Sequence, residues 1–243
     1  MSAGRVVWLT AADAPETFPP VDDALREPDG LLAVGGDLST ARILAAYRQG
    51  IFPWYDDGQP LLWWSPDPRC VFRPGDLHVS RRLRRDLRRS PCELRINTAF
   101  AEVIEACAGP RRHGQGTWIT NDMRAAYERL YAEGWAHSVE VWEDDELVGG
   151  LYGLVIGRVL FGESMFSRQS NASKMALLLV DRLLFSGALG ILDCQVQSSH
   201  LRSLGAVMIP RTDFVEQINE LCDPPDPFAG WPATPLQVSE LAS

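Results

Sequence analysis

The sequence lacks the patterns that are typical of membrane-spanning, secreted and metal-binding proteins. Its 243 residues contain no uninterrupted run of 18 apolar residues, and the first residues lack the apolar core of a signal peptide. The five cysteines are scattered without a C-x-x-C pair, and the four histidines lie far apart. We therefore expect a cytoplasmic protein with reduced thiols, no structural metal and no contact with a membrane.

Glycine-rich loops that bind phosphate are also missing. Gly35 and Gly36 precede a predicted helix, but neither a G-x-G-x-x-G pattern nor a Walker lysine accompanies them. The loop at residues 167–173, which precedes a long apolar helix, contains no glycine. Close approach of this loop to a CoA pyrophosphate is therefore not favoured. An S-x-x-K nucleophile is not favoured either, because no lysine stands three residues after a serine of this loop.

Acidic residues are in excess, but positive charge is concentrated in one segment. The net charge of the chain is −9, whereas residues 69–95 contain nine arginines and three acidic residues. Four of these arginines share one face of a predicted helix, because they are spaced i, i+3, i+4 and i+7; they are Arg81, Arg84, Arg85 and Arg88. A solvated helix face is one interpretation. The scarcity of acidic neighbours favours phosphate binding instead.

The order of the predicted elements indicates an α+β protein with two domains. Two prolines make residues 65–68 the best boundary, with a small N-terminal α/β domain at 1–66 and a larger domain at 67–243. In the larger domain, two strands that meet in a hairpin are followed by a loop, a helix and a strand. This order resembles the GNAT (acetyltransferase-like) fold.

Glycines and aromatic residues mark two further segments. Gly149, Gly150 and Gly153 interrupt a predicted strand, which is typical of a bulge or of close backbone approach. Five aromatic residues occur between positions 51 and 64, where they could form core or a stacking platform for a base or ribose; they are Phe52, Trp54, Tyr55, Trp63 and Trp64.

Polar side chains interrupt the apolar strands of residues 147–196. Glu163 stands in an apolar strand, and Asp193 and Gln195 stand on a short strand predicted at 191–196. Because strand side chains alternate, we expect Asp193 and Gln195 on one face and Cys194 on the other. Burying a carboxylate and an amide costs free energy unless they form hydrogen bonds or serve a function. A structural hydrogen-bond pair and a catalytic role are both compatible with the spacing.

Several longer segments together resemble one family. They include YRQGIFPWY at 47–55, WWSPDPR at 63–69, GTWIT at 116–120, FGESMFSRQSNASK at 161–174 and DCQV at 193–196. The combination is similar to the leucyl/phenylalanyl-tRNA–protein transferases of bacteria. The resemblance implies transfer of Leu or Phe, and also Met, from aminoacyl-tRNA to an N-terminal Arg or Lys, which marks the acceptor for N-degron degradation. It also implies a GNAT-like catalytic domain that uses neither CoA nor another cofactor.

The resemblance also implies roles for particular residues. Asp193 would hold and deprotonate the attacking amine, and Gln195 would orient the amine or the ester carbonyl. Glu163 would help to fix the ammonium of the donor residue or the basic side chain of the acceptor. Which of the two carboxylates handles the attacking amine stays open. The pocket for the aminoacyl group and adenosine is expected at Trp54, Trp118, Leu160 and Met165. At Leu160 the family can carry phenylalanine, so the pocket wall is expected to differ in shape.

The expected partners are Leu-tRNA and Phe-tRNA, bound at the acceptor arm and 3′ end, and proteins with N-terminal Arg or Lys. We expect the protein to act as a monomer. A CoA-dependent N-acetyltransferase is a rival hypothesis, and the loop without glycine weighs against it. A non-enzymatic RNA-binding module is a second rival, and it leaves Glu163, Asp193 and Gln195 unexplained.

The predicted arginine helix should make tRNA binding depend on salt. If about four phosphates are neutralised, the logarithm of the association constant should fall with the logarithm of salt concentration at a slope of roughly −3 to −4. Replacing Arg84, Arg85 and Arg88 together by alanine should flatten this slope and weaken all tRNAs alike. Filter-binding titrations at several salt concentrations measure it, and an unchanged slope would contradict the assignment.

Overall fold

The computed structural model describes residues 6–109, 119–223 and 231–241. These residues form two β-sheets with helices packed against them. The small sheet has the order β1-β2-β4-β3, with β1 parallel to β2 and the other neighbours antiparallel. Its strands are β1 (Val7–Leu9), β2 (Leu31–Gly35), β3 (Phe52–Pro53) and β4 (Leu62–Trp64).

The large sheet has eight strands in the order β11-β5-β10-β9-β8-β7-β6-β12. All neighbours are antiparallel except β9 and β10, which are parallel. The α+β class predicted from the sequence is therefore confirmed. The strands are β5 (Arg69–Phe72), β6 (Glu93–Ile96), β7 (Ala136–Glu143), β8 (Glu146–Ile156), β9 (Val159–Ser167), β10 (Ile191–Asp193), β11 (Val207–Ile209) and β12 (Leu236–Gln237).

Residues with strong capping preferences begin and end two of the helices. The side chain of Ser39 caps the helix that follows it and accepts a hydrogen bond from the backbone of Arg42, and Gly187 ends the long apolar helix with a positive φ. No helix in the described ranges is long and apolar enough to cross a membrane. The helices are α1 (Thr40–Arg48), α2 (Arg81–Leu87), α3 (Phe100–Ala108), α4 (Asn121–Ala132), α5 (Ala172–Ser186), α6 (Ser199–Ser203), α7 (Arg211–Leu221) and α8 (Val238–Leu241).

Two core clusters cover the two faces of the large sheet. Side chains of α3 and α4 share one cluster with Phe161, whereas side chains of α2 and α5 share the other with Leu160. Neighbouring residues of β9 thus point to opposite clusters, as strand alternation requires. The α3 cluster also contains side chains of the small sheet, such as Trp63. Because this core is continuous between the two sheets, the domain boundary at 66 stays a prediction.

An irregularity between β8 and β9 confirms the predicted bulge. Gly153 pairs with Gly162 whereas Tyr152 pairs with Ser164, so Glu163 is the extra residue of β9. A Cβ atom at Gly153 would lie 2.2 Å from a backbone oxygen of β9, so this position requires glycine. Because Glu163 has no partner in β8, its side chain does not follow the regular alternation of the strand.

Strands β9 and β10 part after a short parallel contact. Their pairing begins at Ile191 with Val159 and ends at Asp193 with Phe161. Beyond this point β9 stays paired with β8, whereas the chain after β10 bonds to β5 through the carbonyl of Gln195. We call the resulting opening between residues 162–167 and residues 194–198 the strand gap.

Glu140 of β7 stabilises the start of α3. It is fully buried, and its carboxylate accepts hydrogen bonds from the backbone nitrogens of Thr98 and Ala99 at 2.9 and 2.8 Å. The hydroxyls of Thr98 and Ser138 also donate to it. Thr98 does not cap this helix with its side chain, because the helix begins at Phe100 and the Thr98 hydroxyl binds Glu140 instead.

Replacing Glu140 should therefore destabilise the fold. In Glu140→Gln one acceptor oxygen becomes a donor that faces other donors, so the free energy of unfolding should fall by about 2–4 kcal/mol. Glu128→Gln is the matched control, because Glu128 pairs with Arg124 at a largely exposed site, and it should change by less than about 1 kcal/mol. Urea denaturation measures both, and equal losses would contradict the role of Glu140.

Candidate active site

A pocket of about 1120 Å³ lies at the strand gap. One wall is formed by residues 162–168, at the end of β9, and another by residues between Leu192 and Leu201. Side chains of α3 and α5 complete the lining. Helices α3 and α5 pack on opposite faces of the large sheet. One pocket can reach both faces because the strands part here.

The α5 side of the pocket is apolar. Leu151, Met165, Leu177 and Leu192 line it, so the predicted pocket residue Met165 does lie on the wall. Leu160 is only 1% exposed and lies in the same core cluster, beside its strand partner Leu192. Leu160 therefore supports this wall from within the core.

The predicted aromatic residues have different positions. Phe52, Tyr55 and Trp63 are buried in the core, whereas Trp54 is 42% exposed. The indole of Trp54 lies 5.7 Å from that of Trp64, between ring centroids. The core interpretation is therefore confirmed for these three residues, whereas a stacking role of Trp54, which does not line the pocket at the strand gap, stays a prediction. Trp118 lies outside the described residues.

Of the two predicted catalytic carboxylates, Glu163 is the one that lines the pocket. The Tyr47 hydroxyl, from α1, donates to its Oε1 at 2.6 Å, and the Tyr127 hydroxyl, from α4, lies 2.8 Å from that of Tyr47. Burial raises the pKa of Glu163 from 4.5 to about 7, against the lowering effect of the tyrosine hydrogen bonds. Burial also raises the pKa values of both tyrosines, so they remain protonated donors. Glu163 therefore exchanges a proton near neutral pH.

Asp193 is placed differently. It is fully buried, and Arg69 donates to both of its oxygens, Nε to Oδ1 at 2.8 Å and Nη2 to Oδ2 at 2.7 Å. Oδ1 also accepts from the backbone nitrogen of Gln195 at 2.9 Å. A base for the attacking amine has to reach that amine. The geometry therefore favours a structural hydrogen-bond role for Asp193, one of the two interpretations that the spacing left open.

Gln195 and Cys194 follow the end of β10. The strand ends at Asp193 and Gln195 has a φ of 55°, so the prediction that alternation places Asp193 and Gln195 on one strand face was wrong. Gln195 lines the pocket, and its buried Nε2 has no hydrogen-bond partner among the described residues. Cys194 also lines the pocket, but burial raises the pKa of its thiol far above the usual value. A protonated thiol is a poor nucleophile.

The arginine helix α2 exposes its predicted binding face. Leu83 and Leu87 are buried against the core, and the helix turns its arginines to solvent. A recess of about 450 Å³ is lined by Arg81, Arg84, Arg85, Arg88 and Arg89. All four predicted tRNA-binding arginines thus lie on one surface.

Comparisons with known proteins place the chain in one family. Residues 71–219 match the family described as leucyl/phenylalanyl-tRNA protein transferase, and residues 36–67 match the N-terminal domain of the same proteins. The chain belongs to the leucyl/phenylalanyl-tRNA–protein transferase family. The resemblance predicted from the motifs is therefore confirmed, and the chain is a member of a family of transferases.

Similar family members cover nearly the whole chain. The leucyl/phenylalanyl-tRNA–protein transferase of Pseudomonas aeruginosa strain PAO1 is 53% identical over 90% of this chain and 96% of its own. The protein of the same name from Azoarcus sp. strain BH72 is 53% identical over 94% and 96%. That from Aromatoleum aromaticum is 57% identical over 86% and 87%.

Sequence reasoning missed three residues around the carboxylates of this transferase. Arg69 was counted only as part of the arginine cluster, although it belongs to the motif WWSPDPR. Tyr47 lies in the motif YRQGIFPWY and Tyr127 in a helix that showed no special pattern. The motifs therefore contain Arg69 and Tyr47, but they do not indicate which side chains these residues contact.

Glu163 should make the stability of the transferase depend on pH. Its pKa is higher in the folded protein than in the unfolded chain, so the stability it provides when protonated is present below about pH 4.5 and is lost as the pH rises to about 7. Glu163→Gln cannot ionise. Its free energy of unfolding relative to wild type should therefore rise by about 1–3 kcal/mol between these pH values.

Urea denaturation at a series of pH values measures this difference. Ser164→Ala is the matched control, because it alters the neighbouring pocket residue without an ionisable group, and its difference from wild type should stay constant. A constant difference for Glu163→Gln would contradict the raised pKa.

Proposed function

We propose that the protein transfers Leu or Phe, and also Met, from aminoacyl-tRNA to the N-terminal Arg or Lys of acceptor proteins. The observation that carries this proposal is the pocket at the strand gap, where an apolar wall and a carboxylate with a pKa near 7 meet an unpaired amide. The family relationship supports an aminoacyl-tRNA donor and a protein acceptor.

The apolar wall suits the side chain of the donor amino acid. Leu151, Met165, Leu177 and Leu192 offer flexible surface without a charge to a Leu, Phe or Met side chain. A β-branched donor would place a methyl group against the wall, and Ala would leave a void. Each misfit is worth about 1–3 kcal/mol, so discrimination between donors is tens- to hundreds-fold. The exposed indole of Trp54, with Trp118, is assigned to the terminal adenosine, on which it would stack.

The acidic side of the pocket suits the acceptor. Glu102 and Glu105 of α3 are exposed and line the pocket on the face opposite α5. Carboxylates at a pocket mouth attract a cationic N-terminal residue and repel an acidic one. This charge favours Arg or Lys as the first residue of the acceptor.

Glu163 and Gln195 are assigned to the chemistry. The donor ester is already activated, and an α-amine with a pKa of about 7.7–8.0 is partly neutral near pH 7. As the amine attacks the ester carbonyl, Glu163 takes its proton and the Gln195 Nε2 donates to the developing oxyanion. The intermediate then collapses, the tRNA 3′ oxygen leaves with the proton from Glu163, and a peptide bond remains. Tyr47 orients Glu163, and Asp193 acts through Gln195.

The start of α5 argues against the rival that uses CoA. Acyl-CoA would need free backbone N–H groups at this helix start. Here Ala172, Ser173, Lys174 and Met175 already donate their N–H groups within the chain, Ser173 to the Ser167 hydroxyl at 2.8 Å. These four N–H groups are therefore not available to a pyrophosphate, which supports a reaction without CoA.

Further properties of the protein belong to the same proposal. The parting parallel strands support a GNAT-like large sheet, preceded by a small domain at 1–66. Helix α2 is assigned to the acceptor arm of tRNA, because its arginines are exposed on the same sheet face as the apolar wall. The protein acts as a cytoplasmic monomer, and the transferred residue marks the acceptor for N-degron degradation.

A transfer assay tests the proposed function. Purified protein is mixed with radiolabelled Leu-, Phe- or Ile-tRNA and with peptides that differ only in a first residue of Arg, Lys or Asp. Label should move from Leu- and Phe-tRNA to the Arg and Lys peptides, and much more slowly from Ile-tRNA or to the Asp peptide. Transfer of acetyl from acetyl-CoA without transfer from aminoacyl-tRNA would establish the rival instead.

Glu163→Gln should lower kcat by about 10²–10⁴-fold, the usual range for loss of a general base. In the wild type, kcat should rise with pH through about 7, because only ionised Glu163 accepts a proton. The variant should lose this rise and keep its affinity for aminoacyl-tRNA. Glu128→Gln, far along α4 on an exposed turn, serves as the control. A variant that retains more than half of the wild-type rate would remove Glu163 from the mechanism.

A further inference from the structure

The ion pair between Arg69 and Asp193 takes no direct part in the proposed chemistry. Both side chains are fully buried. A buried ion pair contributes little net stability, because removing two charges from water offsets most of their attraction. The pair therefore calls for a reason other than stability.

The guanidinium of Arg69 is held on several sides. Its Nη1 donates to the carbonyl of Gly50 at 3.0 Å, while Nε and Nη2 bind Asp193. Its central carbon lies 4.9 Å from the ring centroid of Phe52 and 4.6 Å from that of Phe214. These contacts fix one planar orientation, which an ammonium group could not reproduce.

Asp193, which Arg69 holds in place, binds the backbone of Gln195. Its Oδ1 accepts the N–H of Gln195 at 2.9 Å, and Cys70, next to Arg69 in β5, donates its N–H to the carbonyl of Gln195 at 3.2 Å. Gln195 has a φ of 55°, a left-handed conformation that is unfavourable for a residue with a Cβ atom. Asp193 thus holds the backbone N–H of a strained residue that lines the pocket, and β5 holds its carbonyl.

We propose that Arg69 is a positioning residue for the transfer reaction, which through Asp193 holds Gln195 in the conformation that presents its amide to the pocket. Arg69 is fully buried and lines no part of the pocket, so it acts only through these contacts. The expected effect of Arg69 on the transfer rate rests on the proposed function. Its effect on the conformation of Gln195 does not depend on that function.

Arg69→Lys tests the effect on rate. Lysine keeps the charge but cannot donate to both oxygens of Asp193 and to Gly50 in one plane. We expect kcat to fall about 10–100-fold, as for a misplaced oxyanion donor, while KM for aminoacyl-tRNA stays within about twofold. Arg42→Lys is the matched control, because Arg42 is also fully buried, pairs with Asp37 and donates to backbone carbonyls. It should leave kcat within about twofold of wild type.

A double-mutant cycle separates positioning from general destabilisation. If Arg69 acts through Gln195, Arg69→Lys should add almost nothing to the kcat loss of Gln195→Ala. Arg42→Lys combined with Gln195→Ala should show simply additive effects. Additive kcat losses in the Arg69 cycle would overturn the proposal.

A measurement without catalysis tests the hold on Gln195. In protein labelled with ¹⁵N-glutamine, the Gln195 amide is the resonance that disappears in Gln195→Ala. It should move or broaden in Arg69→Lys and stay in place in Arg42→Lys. If Arg69→Lys does not fold, Phe52→Leu removes one ring beside the guanidinium and should shift the same resonance by a smaller amount.

The two proposals fail in different ways. An unmoved Gln195 resonance in Arg69→Lys, or in Phe52→Leu where that replaces it, overturns the role of Arg69 whether or not the wild type transfers an amino acid. If the Gln195 resonance moves in Arg69→Lys but the wild type shows no transferase activity, the hold on Gln195 is supported and only the proposed function is refuted.

Discussion

The short parallel contact between β9 and β10 is the constraint on which the pocket depends. Each strand is held by its other neighbour, β9 by β8 and the end of β10 by β5, so the two part beyond Asp193. A gap inside a sheet leaves backbone polar groups without strand partners. Here the gap carries a bulge at Glu163 on one side and the left-handed Gln195 on the other. The same distortion therefore opens the pocket and places its polar groups.

The two carboxylates near the gap have different environments, which give them different uses. Asp193 faces a guanidinium that occupies both of its oxygens, whereas Glu163 faces tyrosine hydroxyls and has a pKa near 7. A carboxylate fixed by a buried cation suits positioning, and one with a raised pKa suits proton transfer. A partly buried carboxylate that ionises near neutral pH destabilises the fold, which is the usual conflict between an active site and stability.

Local features were predictable from the sequence, and contacts between distant segments were not. The cap at Ser39, the helix end at Gly187 and the bulge near Gly153 follow from the conformations that these residues prefer. The prediction from strand alternation failed at Gln195, because β10 ends at Asp193 and Gln195 has a left-handed conformation. Arg69 and Asp193 are 124 residues apart, and no rule of local spacing pairs them. Glu140 likewise replaced Thr98 as the group that satisfies α3, from a strand that follows it in the chain.

The large sheet also separates two opposite electrostatic requirements. In the proposed reaction the tRNA donor is a polyanion and the acceptor, with its N-terminal Arg or Lys, is a cation, so one surface cannot attract both. Helix α2 and the apolar wall belong to the α5 face, whereas Glu102 and Glu105 project from the α3 face. Adjacent packed layers lie about 10 Å apart, so helices on opposite faces of the sheet are separated by more than the Debye length of about 8 Å at physiological salt. In the proposed reaction each substrate would therefore experience mainly the charge of its own face, and a chain of net charge −9 would bind tRNA through one helix. The strand gap is where the two faces meet, so the ester and the amine can approach there without either substrate crossing the opposing field.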